Sequence, residues 1–141
     1  MNPAPFCLIG IVNVTPDSFS DGGKYIDPCN AVAHGLRLLD EGAGMLDLGA
    51  ESTRPFAEPV PEGEEIARLM PVVARLREQR PDAVLSVDTL KAGTARAALE
   101  GGADIINDVS ACVADPALLD VLAEYKPGYV LMHSQGSPRE M

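Results

Sequence analysis

Five short apolar runs in this sequence each hand over to residues that can hydrogen-bond or carry charge. "FCLIGIV" (6–12) gives way to Asn13, "MLDL" (45–48) to Glu51-Ser52-Thr53-Arg54, and "AVLSV" (83–87) to Asp88 and Thr89. "DIIND" (104–108) ends in Asn107 and Asp108, and "YVLM" (129–132) meets His133. Asp88 carries the sharpest implication, because an apolar strand that ends on a carboxylate must supply it with a partner. A buried carboxylate accepts paired N–H donors, such as the edge of a guanidine-like heterocycle, and a neighbouring amide such as Asn107 can read another edge. The Thr53 hydroxyl and the Arg54 guanidinium suit an oxyanion or a carboxylate. Taken singly, these residues read as well as helix caps, like Thr89 and Asp115, or for Arg54 as one half of a surface ion pair. Together they mark one rim. The chain has no Ser-His-Asp or Cys-His set, His34 and the isolated His133 supply no zinc ligand pair, and Glu62, Glu64 and Glu65 read as the solvated start of a helix.

Bringing five such residues to one rim calls for a repeating scaffold, and the segments between the apolar runs have helical length. "DPCNAVAHGLRLLDEG" opens with Asp27-Pro28, an N-cap followed by proline at the first helical position, and closes on Gly42. Val32, Leu36 and Leu39 share one of its faces. "EGEEIARLMPVVARLREQRP" sets Ile66, Leu69, Met70, Val73 and Leu76 on one stripe, with acids early and arginine late as the helix dipole favours. Pro71 should kink or split that helix. "TLKAGTARAALEGG" and "DPALLDVLAEY" follow, the latter with a second Asp-Pro start. The order β-α-β-α-β-α-β-α-β predicts parallel strands joined by right-handed crossovers, and the near-continuous apolar runs predict a sheet covered on both faces. "EGAGMLDL" from Glu41 and "EGGADIIND" from Glu100 echo one another, each running from a helix end through glycine into a strand that contains an acid. Two architectures fit. A five-stranded flavodoxin-like open sheet suits 141 residues. A (β/α)8 TIM barrel usually takes about 250 residues, so the chain would supply only its first five strands. Either way, ligands bind beyond the carboxyl ends of the strands.

Composition narrows the partners. At 46% apolar and 23% charged residues the chain has ordinary globular values, and no linker or low-complexity stretch divides residues 1–141. Aromatic residues are only 4% and tryptophan is absent, so the core must be aliphatic. A net charge of −10 argues against a nucleic-acid partner. An anionic substrate would have to be held by a few local cations, a metal ion or backbone amides. Three cysteines without C-x-x-C spacing predict reduced, buried thiols. The first residues lack the basic and apolar regions of a signal peptide, and no apolar run reaches membrane-spanning length, so a cytoplasmic chain without a membrane partner is expected.

The loop after the first run, "TPDSFSDGG", offers hydroxyls, acids and glycines suited to a mobile lid. With "NVTPDSFSDGG", "LDLGAESTRP", "SVDT-K" (Ser86 to Lys91), "GADIINDVS" and "LMHSQGSP" in this order and spacing, the sequence resembles the dihydropteroate synthase family over essentially its whole length. That family is a (β/α)8 barrel, so the resemblance implies the barrel over the open sheet. It implies a transferase that joins p-aminobenzoate to dihydropterin hydroxymethyl diphosphate with Mg2+, releasing diphosphate in folate biosynthesis and serving as the sulfonamide target. Carried over by residue, it makes Asn13 the metal and diphosphate ligand and sets Asp88 and Asn107 against the pterin ring, with Val109 and Met132 lining that pocket. Thr15, Pro16, Asp17, Ser18, Phe19 and Ser20 become the first loop over p-aminobenzoate, and Thr53, Arg54 and Pro55 the second. Asn13, Asp88 and Arg54 are then the residues that carry the chemistry, with no covalent enzyme nucleophile.

Phe56 stands where the family has glycine, which predicts altered geometry in the second loop and altered sulfonamide affinity. The family's later strands contribute a further aspartate, a lysine and an Arg-x-His anion site, and its dimer forms through helices after residue 141. These five strands by themselves are expected to aggregate or to bind pterin feebly, without turnover, and the longer enzyme is expected to be a homodimer. Corrinoid-dependent methyltetrahydrofolate methyltransferases share the barrel and pterin site, but the hydroxyl-rich first loop and "STRP" fit the synthase better. A non-catalytic pterin-binding module is the reading from a different class. A receiver-like open sheet would need an acidic cluster after its first strand, which Asn13-Val14-Thr15 does not supply.

Overall fold

The computed structural model describes residues 6–16, 27–52 and 57–132. Its elements alternate as β1 (Ile9–Asn13), α1 (Pro28–Asp40), β2 (Met45–Gly49), α2 (Glu62–Gln79), β3 (Val84–Asp88), α3 (Ala92–Glu100), β4 (Ile105–Asp108), α4 (Leu118–Tyr125) and β5 (Gly128–Leu131). All strand pairs are parallel, and the spatial order is β1-β2-β3-β4-β5. A flavodoxin-like sheet reverses direction at a switch point and places helices on both faces. Here each strand lies beside its sequence neighbour, and each helix packs on the next, α1 on α2, α2 on α3 and α3 on α4. That is the winding of a barrel wall.

The two sheet faces differ accordingly. Val12, Leu46, Leu48, Leu85, Val87 and Ile106 alternate onto the helix side and are fully buried with Leu69, Val72, Val73 and Leu76 of α2. On the opposite face Ile9, Ile11 and Val130 remain exposed. One face therefore carries the helices, and the other is the barrel-interior side, with apolar residues toward its amino end and polar ones toward its carboxyl edge.

Local signals placed most elements. Asp27 caps α1 by accepting from the Cys29 N–H at 2.9 Å, with Pro28 at the first helical position, and Gly42 follows the helix end with a φ of +111°. Pro71 does not split α2, which runs unbroken from Glu62 to Gln79. Proline leaves the carbonyl of Ala67 without its helical donor, and both residues lie on the exposed side where water can replace it. The buried stripe of α2 is turned toward Glu65, Leu69, Val72, Val73 and Leu76, so Ile66 and Met70 lie at its margin. Asp115 opens the turn that leads into α4, which itself starts at Leu118: its Oδ1 accepts from Ala117 N–H at 3.2 Å and its carbonyl from Leu118 N–H at 3.0 Å, while its Oδ2 accepts from Ala92 N–H at 2.9 Å at the start of α3. Cys7 and Cys29 are exposed free thiols and only Cys112 is buried, contrary to the expectation for all three. No helix among the described residues is long and apolar enough to cross a membrane.

Candidate functional site

Strand register assembles the rim. Asn13 pairs with Gly49, Gly49 with Asp88, Asp88 with Asn107, and Asn107 with Val130, so one row crosses the whole sheet at its carboxyl edge. Residues paired in parallel strands point to the same face. Asn13, Asp88 and Asn107 therefore all project into the barrel interior at one level, with Gly49 leaving a gap between Asn13 and Asp88. One step deeper on the same face lie Asp47 and its register partner Ser86.

Asp88 is the electrostatic centre. Burial first, and then the carboxylates of Asp47, Glu65, Asp108 and Glu51, together raise its pKa from 3.8 to about 7. Such a group holds its proton near neutral pH until donors arrive to stabilise the anion. Asn107 turns its Nδ2 to the Oδ2 of Asp47 at 3.0 Å. The other oxygen of Asp47 and the hydroxyl of Ser86 are buried without a hydrogen-bond partner among the described residues.

Beside Asp88 opens a cleft lined by Glu51, Glu65, Thr89, Leu90 and Val109. Two of these lining carboxylates are bridged by Lys91, whose ammonium donates to Glu51 and, at 2.7 Å, to Glu65. Burial disfavours the Lys91 charge, but those two hydrogen bonds outweigh it and raise its pKa. Glu65 is only 1% exposed, which corrects its reading as a solvated helix-start residue. Glu62 and Glu64 are exposed as expected. Thr89 is not the helix cap it resembled: the N-cap of α3 is Lys91, and the Thr89 hydroxyl accepts from the Lys91 N–H at 3.2 Å in the turn before the helix. Arg68 donates to the carbonyl of Ala50 at 3.1 Å, so helix α2 also holds the segment that leaves β2.

Asp108 faces the helix side, not the rim. It accepts from the Ser110 hydroxyl at 2.7 Å, from the N–H groups of Ser110 and Cys112, and from the Tyr129 hydroxyl at 3.0 Å. Burial alone would raise its pKa; those hydrogen bonds outweigh the burial and lower it. They fix a turn in which Ala111 and Cys112 adopt positive φ, and that turn carries Val109 to the cleft.

The structure thus brings together Asn13, Asp88, Asn107 and Val109. Thr15 and Pro16 stand at the mouth of the first loop, exposed and half-buried respectively. Met132, just past β5, is 41% exposed at the far side of the sheet from Asn13. Asp17, Ser18, Phe19, Ser20, Thr53, Arg54, Pro55, Phe56 and His133 lie outside the described residues. Sequence reasoning gave Asp47 no role, misread Glu65 as solvated and met Lys91 only as the end of a motif. Asp47 was findable by the strand period, since it sits two residues before Gly49 and so shares the face of Asn13 and Asp88; the Glu65–Lys91 pair, joining residues of two helical segments, left no local trace.

Five consecutive parallel strands, helices on one side and a carboxylate–amide pair at the carboxyl edge define part of a barrel whose rim is able to accept hydrogen bonds from a small donor-rich ligand. The sequence matches the model of the pterin binding enzymes over residues 9–141, and the chain belongs to that family. It is 50% identical over 133 residues to dihydropteroate synthase of Mycobacterium leprae, a match that covers 94% of this chain and 46% of that protein. A solved structure of Xanthomonas albilineans dihydropteroate synthase with 4-aminobenzoic acid superposes with a TM-score of 0.83 at 53% identity, over 92% of this chain and 47% of that one. The Yersinia pestis dihydropteroate synthase in complex with a sulfonamide drug gives 0.82 at 44% identity, over 95% and 47%. The chain therefore spans about half the length of the relatives it matches.

Proposed function

We propose that this chain forms the pterin-recognising half of a dihydropteroate synthase, a cytoplasmic transferase that condenses dihydropterin hydroxymethyl diphosphate with p-aminobenzoate and releases diphosphate. The observation that supports this best is the side-by-side placement of Asp88 and Asn107 in the β3–β4 register. A pterin offers several ring and amino N–H groups along one edge, and a carboxylate beside a primary amide is complementary to such an edge. Binding would convert Asp88 from its partly protonated state to the anion, because two donors stabilise the charge that burial opposes. Val109 would contribute an apolar wall, and Met132 a second one.

Asn13 is the candidate ligand for Mg2+. Its side chain is an exposed amide oxygen donor on the same rim, and no group of three or more acidic, histidine or cysteine residues able to hold a metal occurs among the described residues. That donor set fits an ion held mostly by water and substrate oxygens, as Mg2+ commonly is. When bound, the ion would stabilise the charge of the leaving diphosphate. The protein's own part is to hold the pterin so that its methylene carbon faces the aniline nitrogen, an entropic contribution with no covalent enzyme intermediate. Arg54, Thr53 and Pro55, with the loop from Thr15 to Ser20, would enclose p-aminobenzoate. The test is diphosphate release by the native-length polypeptide supplied with both substrates and Mg2+. Turnover that falls at least about a hundredfold in Asp88→Ala and Asn107→Ala is expected from the loss of two buried polar contacts each. Methyl transfer to a corrinoid in place of diphosphate release would refute the reading.

A further inference from the structure

The hydrogen bond between Asn107 and Asp47 is not a neighbour contact. Asp47 lies on β2 and Asn107 on β4, two strand spacings of about 4.8 Å apart, and the bond crosses β3. Register places its path between Ser86, the partner of Asp47, and Asp88, the partner of Asn107. Ser86 is fully buried and is the smallest side chain available there that is not Gly or Ala, which leaves the passage open. An ionised carboxylate offers only acceptors, so the end of the Asn107 amide that faces Asp47 must be Nδ2. The amide is thereby held one way up.

We propose that Asp47 is a positioning residue that fixes the polarity of Asn107 toward the ligand. One Nδ2 proton is committed to Asp47 at 3.0 Å. Oδ1 and the second Nδ2 proton remain, an acceptor and a donor side by side. Their complement is a ring nitrogen acceptor next to an exocyclic amine donor, and a ring with a carbonyl next to a ring N–H has the opposite pattern. Without Asp47 the amide could turn over at little cost and accept either. This inference rests on the pterin reading above and sharpens it, because it assigns discrimination between 2-amino and 2-oxo pteridines to a residue below the rim.

The test compares binding of pterin and of lumazine, its 2,4-dioxo counterpart, to the native-length polypeptide and to Asp47→Asn. The substitution keeps the shape of the side chain, but an amide facing an amide pairs equally well either way up. The preference for pterin over lumazine is expected to fall by about tenfold, the worth of one misdirected buried hydrogen bond, with thermal stability little changed. Asp47→Ala should show the same loss. A preference kept within about twofold in Asp47→Asn would overturn the proposal. A second measurement needs no variant: in the unsubstituted protein one Asn107 side-chain amide proton should exchange slowly, and two freely exchanging protons would also overturn it. Failure of the unsubstituted protein to bind pterin at all would instead sink the functional reading, and proton exchange would then decide the role of Asp47 by itself.

Discussion

Glu65 and Lys91 lie 2.7 Å apart, although Glu65 stands in the first turn of α2, where acids usually face water, and is 1% exposed. Lys91 also reaches Glu51, so a single ammonium joins the start of α2, the approach to α3 and the segment that leaves β2. Removing one partner of a buried pair costs more than the pair is worth, because the other charge is stranded. Lys91→Ala strands two carboxylates and should lower unfolding free energy by about 3 kcal/mol. Glu65→Gln leaves Lys91 paired with Glu51 and should cost less than half of that. Urea unfolding midpoints at constant m-value check the order, and a larger loss in Glu65→Gln would contradict this account of the bridge.

Asp88 makes stability depend on pH in an unusual direction. Its pKa is raised from 3.8 to about 7, so between those values the unfolded chain has lost a proton that the folded chain keeps. Stability contributed by this group must fall as pH rises from about 4 to about 7 and then level off. Burial sets the largest part of the effect, and the carboxylates of Asp47, Glu65, Asp108 and Glu51 around it add to it, with Lys91 bound to two of them. Asp88→Asn removes the titration, so the variant should gain on the unsubstituted protein across that window, by on the order of 2 kcal/mol. A stability difference that stays constant from pH 4 to pH 8 would show that Asp88 titrates normally. Ligand binding near pH 7 should also release part of a proton, read as a dependence of calorimetric heat on buffer ionisation enthalpy.

How much of this was legible beforehand follows from the range of each interaction. The alternation of elements, the Asp27-Pro28 cap and the rim residues Asn13, Asp88 and Asn107 are written in local sequence, because strands end where apolar runs end. Choosing the barrel over the open sheet was not a matter of pattern. Strand order is a long-range property, and it was the family resemblance that favoured the barrel. Glu65 misled because an acid in a first helical turn has a sufficient local reason to be there, which hides its tertiary partner. Asp115 was legible only in part: Asp-Pro does open the turn into α4, with one carboxylate oxygen on Ala117 N–H, but the second oxygen reaches Ala92 at the start of α3, a contact with no local trace. Asp47 shows the subtler failure. Its face follows from a period of two, but the amide that gives it a purpose comes from two strands away.

Asp108 should matter for stability far more than for the ligand's electrostatics. Its two oxygens collect donors from Ser110, Cys112 and Tyr129 and hold a turn with two non-glycine residues at positive φ. Tyr129→Phe removes one donor and should cost about 1 kcal/mol, and Asp108→Ala, which frees the turn and strands several donors, about 3 kcal/mol. The folded-state pKa of Asp108 is depressed, so its contribution is present above the ordinary carboxylate range and is lost on acidification. Tyr129→Phe should therefore narrow its stability deficit as pH falls below about 4. A deficit independent of pH would mean that the hydroxyl acts through packing with Cys112 alone.

Gly49 tests whether the rim is one continuous surface. It stands between Asn13 and Asp88 in the register, and a Cβ built there would lie 3.6 Å from the Asp88 Cβ and 3.8 Å from its Oδ2, which is ordinary contact distance. Gly49→Ala should thus fold with a stability change within about 0.5 kcal/mol, since a methyl fits and the strand tolerates it. Gly49→Leu projects its branch into the gap that a ligand spanning Asn13 and Asp88 must cross. Pterin affinity should drop at least about tenfold in Gly49→Leu, with a much smaller change for Gly49→Ala. The two variants separate occupancy of the gap from damage to the strand, because urea midpoints report folding while fluorescence titration reports binding. If Gly49→Leu folds and binds pterin as tightly as the unsubstituted protein, Asn13 and Asp88 do not serve one ligand, and the assignment of Asn13 to the diphosphate end of the pterin loses its footing.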